Sequence, residues 1–203
     1  MEELGDRPSL ESLRRAADGT SRAAVAEHYG FSSWSALMAE AGRRLVATED
    51  LHQWFGAQLN NEVWRAIDAA AVSPGSDSDD KDELVYAAFA SAHHWRQIGT
   101  RANQARAEHL ISRVATIVGL PDLALRHATR CLELVEAHAG EMEDWDLGFA
   151  LEALARAQMA CGRVDEAHET LQRARAATAA IVDSGDREIV EGELAREPWF
   201  GMT

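Results

Sequence analysis

Two glycine-marked breaks, Gly119-Leu120-Pro121-Asp122 and Gly162-Arg163-Val164-Asp165, stand 43 residues apart and constrain this chain more than any other feature. Each joins the end of one helical pattern to the start of the next. Glycine supplies the left-handed residue that closes a helix, and Pro121 with Asp122 suits a helix entry. The correspondence runs on both sides: Asp122 aligns with Asp165, Ala124 with Ala167 and Arg130 with Arg173. Upstream, Ile111 aligns with Leu154 and Arg113 with Arg156. Self-similarity at a fixed period of this size signals stacked helix pairs, each covering the face its neighbour leaves open.

The rest of the chain reads the same way. Its prolines stand only at positions 8, 74, 121 and 198, and no segment alternates in the manner of a strand, so the fold class is all-α. Helices are expected near 9–17, 21–28, 33–46, 49–71, 80–98, 102–118, 122–138, 144–161, 164–183 and 186–196. The segment 73–80, SPGSDSDD, is a loop by composition, with Asp79 or Asp80 capping the following helix. It is not a calcium loop, since Lys81 stands where a ligand belongs and the loop glycine is missing.

Counting back from each turn glycine places small residues at Ser112, Ala124 and Cys131 in the first unit, and at Ala155, Ala167 and Ala174 in the second. This pattern resembles the tetratricopeptide repeat, a helix pair whose small residues allow close approach. The resemblance implies antiparallel helical hairpins stacked as a short solenoid. Two units are directly readable, and a third, pairing 49–71 with 80–98, follows from length and position. The period exceeds the family's usual spacing because AHAGEMEDWD separates the units, and Glu108 replaces a large apolar family residue. The polar helix 186–196 would cap the array.

Residues 93–157 are also similar to a group of uncharacterised bacterial repeat proteins. The shared features are His94-Trp95, Asn103/Arg106, Ser112-Arg113-Val114, Ala124-Leu125/His127, Asp144/Asp146-Leu147 and Glu152 to Ala157. Residues 1–46 stand apart as a small N-terminal appendage, with the repeat domain expected over 47–203. Within the appendage, SRAAVAEHYGFSSWSALMAE reads as a helix, a turn at Gly30 and a second helix. It resembles a short motif found beside repeat domains in actinobacterial proteins.

Charge limits the partners. A net charge of −14 disfavours nucleic acid, because phosphate contacts need a basic face. The second helix of the N-terminal hairpin, SSWSALMAEAG, offers a DNA groove almost no polar or basic side chain, so a DNA-binding regulator is an alternative only. No apolar run approaches membrane-spanning length and no secretory signal is visible, so a cytoplasmic location is expected. Cys131 and Cys161 read as small buried residues on apolar helix faces.

In the tetratricopeptide hairpin the first helix of each pair lines the concave groove. The resemblance therefore puts Arg106, His109, Arg113 and Thr116 from the first unit beside Phe149, Glu152, Arg156 and Met159 from the second, with Asn103 and Asp146 one turn earlier. Helical spacing agrees, since 106/109/113 and 149/152/156 each form one stripe. Three arginines and an amide on one face suit a carboxylate or phosphate. The expected function is thus a ligand- or protein-binding module for a peptide or small anionic ligand, with no reaction fixed by any motif and homodimerisation admissible. The competing reading of the same residues is an ion-pair network that holds the repeats together. A further alternative is a small metalloprotein or enzyme in which His94, Glu108 and His127, with His109 and Glu152, converge between helices on zinc or iron. No other cofactor is expected.

Overall fold

The computed structural model describes Leu13, Arg15, residues 21–69 and residues 77–201. The expected helix at 9–17, those two residues apart, and the first part of the 73–80 loop lie outside them. Eight α-helices and no strand occur among the described residues. They are α1 (Arg22–His28), α2 (Trp34–Asp68), α3 (Ser78–Ile98), α4 (Arg101–Val118), α5 (Pro121–Ala137), α6 (Asp146–Ala160), α7 (Val164–Ala179) and α8 (Ser184–Ala195). A single 3-10 turn, Ala139–Glu141, follows α5. None of these helices is long and apolar enough to cross a membrane. The chain divides into two compact units, Met1–Leu51 and His52–Thr203.

Helix ends shift by a few residues, with Asp77 rather than Asp79 or Asp80 at the N-cap of α3, and one expected boundary is absent altogether. The helices placed at 33–46 and 49–71 are a single helix, α2. Val46-Ala47-Thr48-Glu49-Asp50 contains no glycine or proline to end it. Thr48 followed by two acids has the composition of a helix start. Its hydroxyl instead donates to the Arg44 carbonyl at 2.8 Å, which is how threonine sits inside a continuing helix.

In the first unit, Leu13, Val25, Ala26 and Leu37 form a small core with Phe31, Trp34 and Met38 packed against it. Gly30 adopts φ 78° and turns the chain out of α1, with Phe31 N donating to Ala26 O at 2.9 Å. Ser33 then caps α2, its hydroxyl accepting from Ala36 N at 3.1 Å.

In the second unit the helices pack in sequence, α3 on α4, α4 on α5, α5 on α6 and α6 on α7, and α4 also meets α6 directly. The two breaks at the 43-residue offset are built alike. Gly119 (φ 84°) and Gly162 (φ 74°) are both left-handed. Leu120 N donates to Ala115 O at 2.8 Å, and Arg163 N donates to Gln158 O at 2.9 Å. Both are the glycine-terminated ending in which the chain reverses and the last carbonyls stay paired. The six small residues are all buried: Ser112, Ala124, Cys131, Ala155, Ala167 and Ala174. Ser112 donates its hydroxyl to the Ala124 carbonyl at 3.0 Å, so α4 and α5 touch backbone to side chain.

A similar close approach joins α2 to α3. Ser91 donates to the Gly56 carbonyl at 2.8 Å, and a Cβ on Gly56 would lie 2.9 Å from the Trp95 ring. Gly56→Ala is therefore expected to destabilise by about 1–2 kcal/mol, because the clash with an indole exceeds the gain in helix propensity. A lower urea midpoint with an unchanged slope checks this; unchanged or higher stability would contradict it.

Candidate functional site

The repeat places equivalent residues of α4 and α6 opposite each other, and the site grows from that register. His109 and Glu152, 43 residues apart, meet with Nε2 and Oε2 separated by 3.4 Å. Glu152 is fully buried and also accepts from Arg156 Nε at 2.5 Å. Burial alone would raise its carboxyl, but Arg156, the His109 hydrogen bond and Arg113 outweigh it and hold the pKa at about 2. An ionised Glu152 fixes the proton of His109 on Nε2. No hydrogen bond from the protein reaches His109 Nδ1 among the described residues.

Above His109 lies a cavity of about 240 Å³ with aromatic walls. Trp64 of α2 stacks on the imidazole at 5.8 Å between ring centroids, and Phe149 of α6 meets it edge-on at 5.3 Å. Trp145, just before α6, stands at right angles to Phe149. Ala105, Val135 and Cys131 supply the apolar floor, and Asn60 adds an amide. Arg106 closes one side. Its guanidinium lies 4.1 Å from the Trp145 ring centre and makes two 2.9 Å hydrogen bonds to Asp146. Asp146 in turn accepts from Glu143 N at 2.9 Å, tying the linker between the units to this wall.

The arginines of the expected groove are thus paired. Arg106 bonds Asp146, Arg113 bonds Glu193, and Arg156 bonds Glu152. Arg113 and Arg156 are essentially inaccessible, and both reach the C-terminal segment. Arg113 Nη2 donates to Glu197 O at 3.2 Å; Arg156 Nη1 donates to Arg196 O and Pro198 O at 2.7 and 2.8 Å. Burial, with the Arg156 charge next, draws the Arg113 pKa below the ordinary arginine value, against Glu152 and Glu193. Asn103 lies away from the cavity wall and completes the capping box of α4, accepting from Thr100 N at 3.1 Å.

The metal set divides. Glu108 Oε2 and His127 Nδ1 meet at 2.6 Å between α4 and α5, while His94 pairs with His52 at 2.7 Å and stacks on Phe55. Burial first, then His52 and His93, lower the His94 pKa. Among the described residues no group of three or more histidine, cysteine, aspartate or glutamate side chains is arranged to hold a metal ion. Both cysteine thiols are held above their ordinary pKa. Burial, then Asp146 and Glu108, push the Cys131 thiol far up, and burial with Asp122 raises Cys161.

The tetratricopeptide resemblance grouped His109, Arg106, Asp146 and Phe149 on one face, and all four line this cavity. Trp64, Asn60 and Trp145, which also line the cavity, were not among the residues it grouped. Trp145 sits in the linker whose extra length was the visible departure from the repeat. Compared with known protein families, with curated proteins and with solved structures, the chain matches none.

Proposed function

We propose that this chain is a tetratricopeptide-like binding module whose pocket above His109 takes a small, planar, mainly apolar molecule bearing one hydrogen-bond donor. The repeat reading is supported by the six buried small residues and the twin glycine endings. The ligand reading rests on one observation: an aromatic-walled cavity of about 240 Å³ lined by an imidazole whose Nδ1 has no protein partner. That volume is below the roughly 300–1,000 Å³ of sites for drug-sized ligands, so an occupant of one or two rings fits. Three arginines facing three carboxylates leave no net positive charge, which favours a neutral ligand over an anion. A donor N–H or O–H would meet His109 Nδ1 while Trp64 and Phe149 enclose the ring faces.

Titration calorimetry with indole tests this. Indole is expected to bind, and Trp64→Ala and Phe149→Ala should each weaken it tenfold or more. His109→Phe keeps a ring in place and removes the acceptor, so indole should lose its advantage over indene, which lacks the N–H. Benzoate, of similar size but charged, should bind more weakly than indole. The proposal fails if indole does not bind at millimolar concentration, or if the wall variants bind it unchanged.

A further inference from the structure

Glu108, the residue before His109 on α4, faces a different cleft. This cleft has a volume of about 550 Å³ and is bordered by α3, α4 and α5. His127 stands in its wall, fixed by the 2.6 Å bond from Nδ1 to Glu108 and by the edge-on contact of Phe89 at 5.4 Å. Only about an eighth of either side chain is exposed (12% for each). Among the described residues Nε2 has no hydrogen-bond partner, and it is the ring atom a ligand would meet.

Two further wall residues are Arg96 and Arg126. Most described arginines in this acidic chain are engaged by a carboxylate, an amide, a carbonyl or an aromatic ring. Among the described residues Arg96, Arg126 and Arg175 have none of these partners, and the first two line this cleft. Arg130 lies in the same wall but is paired with Glu133 at 3.2 Å. Asp122 is the remaining acid on the rim; with Glu108 bonded to His127 and Glu133 to Arg130, it opposes two unpaired guanidiniums.

We infer that this cleft binds a phosphate monoester, with Arg96 and Arg126 on the phosphate oxygens and His127 Nε2 on a third. Guanidinium forks match the oxygen spacing of phosphate and carboxylate alike. The histidine separates the two. A phosphate monoester has its second ionisation near pH 6, so it can donate a P–OH to a neutral Nε2 or accept from a protonated one. Sulfate and carboxylate lack that versatility at neutral pH. The cleft also exceeds what a bare phosphate fills, which favours an ester over the inorganic ion. This site is independent of the indole pocket and of any reading of it.

The test uses the full chain and phenyl phosphate, followed by titration calorimetry and phosphorus NMR, with inorganic phosphate, sulfate and benzoate as comparison ligands. Phenyl phosphate is expected to bind more tightly than inorganic phosphate, and both more tightly than sulfate or benzoate. Arg96→Ala, Arg126→Ala and His127→Phe should each weaken it tenfold or more, and Arg130→Ala by less than threefold. Both unpaired arginines are exposed, so their variants should melt with the parent and bind indole as before. The inference is overturned by no binding at millimolar phenyl phosphate, by equal affinity in the Arg96 and Arg126 variants, or by sulfate binding equally well.

Discussion

Glu152→Ala should destabilise the protein by about 3–5 kcal/mol, the usual consequence of removing one partner from a buried ion pair. Glu152 is fully buried beside Arg156, and the equally inaccessible Arg113 adds a second positive charge nearby. Alanine would leave both without their central carboxylate and His109 without its acceptor. The measurement is the urea unfolding midpoint. The same residue gives a pH dependence of definite sign. Its folded pKa of about 2 lies below the ordinary 4.5, so its contribution is complete above about pH 4.5 and is lost as pH falls towards 2. A shift of this size corresponds to about 3 kcal/mol. Glu152→Gln keeps the shape and cannot ionise, so its stability should change much less between pH 5 and pH 2.5. An equal acid slope in parent and variant would assign the effect to other carboxylates.

Arg156→Ala should cost at least as much and, unlike the Glu152 variants, should release the C-terminal segment. One guanidinium holds the Glu152 carboxylate, the Glu193 carbonyl at 3.0 Å and the Arg196 and Pro198 carbonyls, and it lies 4.0 Å from the centre of the Trp199 ring. Removing it strands a buried carboxylate and three carbonyls, an expected loss of about 3–5 kcal/mol or more. Amide exchange over residues 193–199 should accelerate while α4 and α5 stay protected. Arg156→Lys should recover only part of this, because one ammonium cannot span a carboxylate and three carbonyls in different directions. Protection of 193–199 in Arg156→Ala equal to the parent would show that the segment is held by Trp199 packing on Ala155, Ala167 and Leu171 instead.

How much of this was legible beforehand depended on whether the cause was local. The helix ends at Gly119 and Gly162 were readable because a left-handed residue is a property of the single position, and glycine is the residue that tolerates it. The small residues Ala124, Ala155, Ala167 and Ala174 were readable because close helix approach demands small side chains at fixed spacing. The fusion of α2 was misjudged at Thr48, where the outcome turned on which way one hydroxyl pointed. Metal ligation by His94, Glu108 and His127 was drawn from residue types alone, and the fold instead gives Glu108 and His127 to one cleft and His94 to His52.

The stripe of Arg106, Arg113 and Arg156 was visible as a pattern, yet its meaning was not. Glu193, which meets Arg113, stands 80 residues along the chain in a helix that read as a polar cap. Whether an arginine is open to a ligand depends on the acid brought beside it in space, and pairing over that distance leaves no periodic trace. By itself the sequence determined an all-helical chain with two matched glycine-ended helix junctions, since periodicity and turn chemistry act over a few residues. Which charges are neutralised, which histidine nitrogen is left without a protein partner and where the cavities lie were decided only by tertiary packing. Those properties belong to pairs and triples of side chains that the chain does not hold adjacent.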